Sequence, residues 1–489
     1  MVYIAMYLGI ICGHILRVTK IYKRKNKHSN DNIVCFAIRI KVTIVNIWKS
    51  ISYTLKKIVY TIQITFYKIK IKVTTSIKSC WDNIKKRLLA NTNIYIWLKV
   101  AKVYSVPGRR VVLLSYNSMR KYCEAHNEKY IVIERRQERP VCMPEFFELT
   151  DELVVTYKSP EIYIAQIHSA EICGASSIII AEKECLYDPF LEDTDGRLDV
   201  KFSNAIGNIK EKIIVERAPI ERKISSGIFL MGFASYNYYH LTVEIMSRLR
   251  YVEQFDEYLK LPLIVDQVML DVPQYKEMLD KFNIHKHPVV FVKPGEVIEV
   301  ENLIYPSYNT WMPINVKERE MIRASDFLIA KSALENIRSY VNMESEKNLK
   351  QIFISRENLT ATRLKNEAEI VTLFEKYGFD IVHTEKLSYL EQVELFHKAK
   401  RVVATSGAAL TNIIYCQPGT EVICIIPEED KFYMYSTIAY LLELKPIFLN
   451  AKIIEKSIYP AADIFEISKE YCERFLKKHM CNGDVLISG

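Results

Sequence analysis

Ile352-Phe353-Ile354-Ser355-Arg356 opens the stretch whose reading decides the fold, and the stretch closes at Pro427. Its first run is apolar and ends in a charge. A polar loop with Thr360, Thr362 and Arg363 follows, and Asn366-Glu367 then leads into Ile370, Leu373, Phe374 and Tyr377 at helical spacing. Gly378 stands where a helix C-cap belongs. The alternation continues with a strand at 379–382, a helix at 389–398 and a strand at 402–405. The turn Ser406-Gly407-Ala408-Ala409 then enters a short helix at 410–416, and a strand follows at 421–426. Strands and helices joined by short connections predict a parallel sheet with crossover helices.

Such sheets bind ligands beyond the carboxyl ends of their strands. Arg356 marks one of those ends, and the small-residue turn 406–409 marks another, just before a helix N-terminus. Free backbone amides and the helix dipole make the turn an anion site, and a nearby arginine suits a diphosphate. Taken singly, the turn is a tight strand-to-helix connection and Arg356 a rim charge. Together in one alternating unit they point to a nucleotide-diphosphate pocket.

Downstream, the pattern predicts a helix at 432–444, a strand at 447–449 and a last helix at 464–479. Upstream, a long helix at 317–341 precedes a polar linker at 342–348, where a domain boundary is expected. Apolar runs at 111–114, 130–133, 153–156 and 177–181 read as strands of an earlier domain. Asp193 and Asp195 flank one residue in a turn that no strand delivers to a pocket, so they read as solvated. A strand at 228–231 leads into a helix at 238–255 with Leu241, Ile245, Leu249 and Val252 on its apolar face. His240 and Glu244 share another stripe, because positions three and four apart are neighbours. A carboxylate so placed can orient the imidazole and raise its basicity, which makes the pair an acid–base unit. The same spacing also serves an ordinary capping or surface ion pair.

The 489 residues allow about three units, with 49% apolar composition typical of a folded chain. Eleven cysteines, an odd number without CxxC spacing, argue for a reducing compartment and against a zinc site or a disulfide framework. The net charge of +9 is unevenly spread. Residues 1–106 hold 20 Lys and Arg against 2 Asp, leaving 47 basic residues against 56 acidic ones elsewhere.

That basic appendage, 1–105, begins with an apolar run at 2–16, short of the roughly 20 residues that span a bilayer. It reads as a shallow anchor with its basic side in the cytoplasm, and a marginal spanning helix is the other reading. From Ile40 to Leu88 apolar residues recur every three or four positions, with Lys and Arg between them and Asp82 the lone acid. An apolar stripe beside a cationic face describes a helix lying on an anionic membrane. The alternatives are a right-handed coiled coil or a stripe packed on the rest of the chain. Nucleic-acid binding fits less well, because the face is apolar as much as charged.

Several blocks carry a family resemblance. Ile354-Ser355-Arg356, Arg363 with Asn366-Glu367, residues 387–392, Ser406-Gly407-Ala408-Ala409-Leu410-Thr411-Asn412 and Pro418-Gly419 form one set. Tyr236-Asn237-Tyr238-Tyr239-His240 with Glu244 and Arg248-Leu249 form the other. In this order they resemble glycosyltransferase family 61, whose bacterial members include capsular polysaccharide biosynthesis proteins. The resemblance runs from residue 106 to the C-terminus. It departs at Ser406, where many members carry His, and at Cys424, where many carry an acidic residue.

The resemblance implies an α/β chain of GT-B architecture, two Rossmann-like domains (106–345 and 346–489) facing a cleft behind the helical appendage. The expected activity is inverting, metal-independent transfer from a UDP-linked sugar to a glycan in surface or capsular polysaccharide assembly. Arg356, Arg363, Asn366, Glu367, Ser406, Gly407, Ala408, Thr411 and Asn412 would hold the donor, and His240 or Glu244 would deprotonate the acceptor. No cofactor, metal or nucleic acid is expected, and the protein is expected on the cytoplasmic membrane surface. The alternative is a non-catalytic polysaccharide- or lipid-binding subunit that keeps the fold, a reading supported by Ser406 and Cys424.

Overall fold

The computed structural model describes residues 110–149, 152–187, 196–198, 204–209, 212–312, 316–342, 350–357, 363–457 and 462–480. The expected appendage at 1–105, the Asp193–Asp195 turn, Thr360, Thr362 and most of the 342–348 linker lie outside the described residues. Leu98–Gly489 forms one compact unit.

The amino-terminal part of that unit carries thirteen described strands. In chain order they are β1 (Arg110–Asn117), β2 (Tyr130–Glu134), β3 (Glu138–Met143), β4 (Leu153–Lys158), β5 (Ile162–Cys173), β6 (Ile179–Ala181) and β7 (Glu184–Leu186). They continue with β8 (Ala205–Ile209), β9 (Lys212–Arg217), β10 (Ile220–Leu230), β11 (Leu263–Asp266), β12 (Val289–Val292) and β13 (Val297–Pro306). All but the β3–β4 hairpin join one sheet, in the order β12-β11-β10-β13-β5-β6-β7-β1-β9-β8 with β2 also on β5. Strands β12, β11, β10 and β13 run parallel, whereas β5 is antiparallel to β13. The β5–β13 pairing keeps one register on both sides of Ser169, which has φ 53°, and Ile172, Ile298 and Val300 cluster with Phe229, Ile264 and Val292. Just after β5 the backbone N–H of Ala175 donates to the Asp266 carboxylate at the end of β11, at 2.6 Å.

The second sheet is fully parallel. It comprises β14 (Lys350–Ile354), β15 (Asp380–Val382), β16 (Ala399–Thr405), β17 (Glu421–Ile426) and β18 (Lys445–Asn450), in the order β15-β14-β16-β17-β18. A small pair, β19 (Lys452–Glu455) and β20 (Ile464–Glu466), follows. The described helices used below are α1 (Met119–His126), α2 (Pro273–Phe282), α3 (Lys331–Ser339), α4 (Glu367–Lys376), α5 (Tyr389–Lys398), α6 (Met434–Leu441) and α7 (Lys469–Met480). The apolar runs of this sheet are explained by burial on both faces. Phe353, Val403, Ile423 and Ile425 pack with Phe374 of α4 and Phe475 of α7. Their neighbours Ile352, Ile354, Val402 and Cys424 point the other way, into a cluster that also holds Ile228, Leu230 and Val265 of the mixed sheet. One core therefore joins the inner faces of both sheets through α2, α3, α5 and α6. The β3–β4 hairpin clamps it, since Ser436 of α6 donates to the Cys142 carbonyl at 2.5 Å and the Cys142 N–H to Thr437 at 3.1 Å.

Two expected helices are corrected. The segment 317–341 is two short 3-10 turns, Arg319–Met321 and Ala324–Phe327, followed by α3. Between the second turn and α3 the chain is extended at 328–330, because the Trp311 N–H bonds the Leu328 carbonyl and the Ala330 N–H bonds that of Asn309. The last helix begins only at Lys469, since Ile464–Glu466 pairs with β19 and the Phe465 N–H bonds the Arg363 carbonyl at 2.8 Å. Two other helices have unexpected windings. The 3-10 helix Ala408–Tyr415 replaces the short α-helix after the turn, and the stretch after Tyr238 is a π-turn, His240–Ile245, then a 3-10 and an α segment.

Candidate functional site

The turn after β16 is built by close approach. Gly407 has extended backbone, and a Cβ there would collide with Arg356 Nη1. Only glycine lets the guanidinium from the end of β14 lie against the turn. Burial, with the Arg363 charge beside it, holds the Arg356 guanidinium below the usual arginine range. The Arg356 backbone N–H donates to Glu367 Oε1 at 2.5 Å, so Glu367 fixes the loop rather than the side chain. Tyr435 of α6 donates its hydroxyl to the Gly407 carbonyl at 2.6 Å.

Arg363 is buried and bonded to protein on three sides. It donates to the carbonyls of Ser406 (3.0 Å) and Asp463 (3.3 Å) and to the Asp430 carboxylate (2.9 Å). Arg319 completes a buried cluster, donating to Asp430 at 2.8 Å and Asp463 at 2.5 Å. Burial pushes the Asp430 carboxyl up to about 7 against the pull of Arg363. Asn366 bonds both backbone groups of Ile467, and Asn412 is fully buried between the Tyr238 hydroxyl (2.6 Å) and Gln392 (2.8 Å). Of the expected donor residues, Gly407 and Ala408 are half-buried, as is Arg356, while Ser406 and Thr411 are buried.

In the mixed sheet, His240 and Glu244 lie on the π-turn, whose wide i→i+5 winding is a local departure often found at functional sites. Their side chains meet as expected, with His240 Nδ1 2.7 Å from Glu244 Oε2. Both residues are buried, at 8% and 7% exposure, so this is no surface ion pair. With Nδ1 engaged by the carboxylate, Nε2 is the ring nitrogen left for proton transfer. The pair lines a cavity of 230 Å³ beyond the carboxyl ends of β10 and β13. Gly232 and Phe233 come from the end of β10, Tyr308 and Trp311 from beyond β13, and Tyr187 from beyond β7.

Two buried groups hold these strand ends together. Arg248, fully buried, donates to the carbonyls of Ile245, Pro306 and Met231 at 3.2–3.3 Å and lies 4.9 Å from the Tyr308 ring centroid. Asp266 accepts from the Ala175 and Gly232 N–H groups at 2.6 and 3.1 Å, and burial pushes its carboxyl up to about 6.

The two expected halves of the site touch. Tyr238 bonds Asn412, and Tyr239 meets Tyr435 edge-on at 6.3 Å while packing against His240 at 5.4 Å. A chain of contacts thus runs from the His–Glu pair to the turn at Gly407. Sequence reading missed Arg319, Asp430, Asp463 and Tyr435 here. Asp430 sits in a run of three acids that looks solvated, and Arg319 fell in an expected helix. Tyr239 and Arg248 lay inside a quoted block without an assigned role.

An arginine-backed glycine turn can meet an anion and a buried His–Glu pair beside a cavity can move a proton, the two capacities that group transfer uses. The family model described as Glycosyltransferase 61 matches residues 238–423, which bears out the resemblance to that family and supports glycosyltransferase activity in general. The match begins at Tyr238 and ends within β17, so it takes in both the His–Glu pair and the glycine turn. No curated protein matches the chain.

Proposed function

We propose that the chain is an inverting, metal-independent glycosyltransferase of GT-B type that moves a sugar from a UDP-linked donor to a glycan acceptor in surface polysaccharide assembly. The observation that carries this reading is the buried His240–Glu244 pair, 2.7 Å apart in a cavity wall and linked through Tyr239 and Tyr435 to the Gly407 turn. The donor diphosphate lies at that turn, with Arg356 and the backbone amides after Ser406 against its charge. His240, or Glu244 in its place, takes the acceptor hydroxyl proton. The acceptor oxygen bonds the anomeric carbon as the carbon–oxygen bond to the diphosphate breaks, and the electron pair leaves on UDP. Attack opposite the leaving group inverts the anomeric centre. Residues 1–105 hold the enzyme on the cytoplasmic face of an anionic membrane.

A second reading, a binding subunit without turnover, is favoured by one observation. Arg363, Asn366 and Asn412 bond protein partners rather than lining an open site. Incubating the full chain with radiolabelled UDP-sugars and EDTA separates the two. An enzyme of the proposed kind releases UDP slowly without acceptor and regardless of chelation, whereas a binding subunit releases none. Turnover that requires added Mn²⁺ overturns metal independence, and failure of the full chain to float with anionic vesicles overturns the membrane assignment.

A further inference from the structure

The cavity beside the His–Glu pair has a more specific chemistry than an acceptor in general. Its wall is aromatic on several sides, with Tyr187, Phe233, Tyr308 and Trp311, as the weakly apolar faces of a sugar ring require. Its buried charges are balanced. Arg197 and Asp326 form a two-point pair at 2.5 and 2.6 Å, and His240 engages Glu244. Lys158 is exposed, so it brings no buried cation. An acidic ring would face the Glu244 carboxylate, while Arg197 is held by Asp326 and the buried Arg248 behind Tyr308 by three backbone carbonyls.

Two wall residues also carry polar atoms without a protein partner. They are Glu244 Oε1 and Thr310 Oγ1, on residues only 7% and 2% exposed. Such atoms are costly unless something bonds them. A carboxylate oxygen asks for a donor, whereas a threonine hydroxyl can give or accept. Hydroxyls on one ring meet both demands.

We propose that this cavity is the acceptor subsite and takes a single uncharged sugar ring, with ring hydroxyls bonded to Glu244 and Thr310 and a ring face against Tyr308 and Trp311. The proposal rests on the glycosyltransferase reading for the word acceptor, but not for the ring itself. Thr310 is then a specificity residue that catalysis does not need chemically.

Saturation-transfer NMR on the full chain with UDP present tests it, using methyl glucopyranoside, methyl galactopyranoside and methyl glucuronide as probes. At least one neutral glycoside should bind and the glucuronide should not. Thr310→Val should weaken the neutral probe about five-fold, the worth of one net hydrogen bond, and Thr310→Ser should restore it. Binding of the glucuronide as tight as that of the neutral probes overturns the proposal without recourse to any variant. So does an unchanged affinity in a folded Thr310→Val protein, or the absence of binding by every probe. UDP release from a UDP-sugar, measured on the same sample, separates the two claims. Glycoside binding without UDP release sinks the enzyme reading and leaves a sugar site, whereas UDP release without glycoside binding sinks the subsite alone.

Discussion

In the five-stranded sheet every strand runs parallel to its neighbours and both faces meet apolar clusters, whereas in the mixed sheet β12, β11, β10 and β13 run parallel, as do β1 and β7, and the other pairings are antiparallel. The difference sets how each half builds its part of the site. The parallel sheet offers a turn, Gly407, made by backbone, with Arg356 against it and Arg363 bonded to the Ser406 carbonyl. In the mixed sheet, strand ends far apart in sequence meet around a cavity. A parallel sheet positions through its regular connections. In the mixed sheet the strand ends are tied by the buried side chains of Arg248 and Asp266.

The contrast breaks most visibly at Arg248. Arg248→Ala leaves three buried carbonyls without their donor, and stability should fall by roughly 3–5 kcal/mol in urea unfolding. Arg248→Lys should recover less than half, since an ammonium lacks the planar fork that reaches all three. A loss below about 1 kcal/mol would mean that the strand ends hold together without this pin.

Asp266 should have a smaller effect with a distinctive pH signature. Asp266→Asn leaves one of two backbone amides without an acceptor, at a cost of about 1–3 kcal/mol. Its folded pKa, about 6, lies above the ordinary aspartate value, so the native state holds the proton more tightly than the unfolded chain. The stability tied to that proton is full below about pH 4 and is lost as the pH rises through 6. Unfolding midpoints across this range should therefore fall for the wild type more steeply than for Asp266→Asn. Equal slopes would contradict the burial argument.

The smallest effect is expected where the halves meet. Tyr238→Phe removes the bond to Asn412 and should cost about 1 kcal/mol. Combined with Asn412→Ala the losses should be less than additive, because both variants delete one contact. Full additivity would show that the seam does not depend on it.

Legibility followed the same division. The parallel sheet could be read closely, since Ile352, Val402 and Val422 begin apolar runs with short connections, and all five strands fell near their expected places. The His240–Glu244 contact was legible too, because i, i+4 geometry is local. What was not legible depends on distant partners. Residues 328–330 are extended because they bond 309–311, and Ile464–Glu466 is a strand because β19 lies beside it. Nothing local marks Asp463 or Thr310, whose roles come from what the fold places against them.

The central claim is a division of labour, with donor charge met on the parallel sheet and proton transfer on the mixed one. Calorimetric titration of UDP beside a transfer assay tests it on Arg356→Ala, His240→Ala and Glu244→Gln. The account predicts that Arg356→Ala weakens UDP binding and slows transfer. The two π-turn variants should keep near-normal UDP affinity while turnover falls by about 10²–10⁴-fold. Loss of UDP binding in the π-turn variants, or wild-type turnover in both, would contradict it.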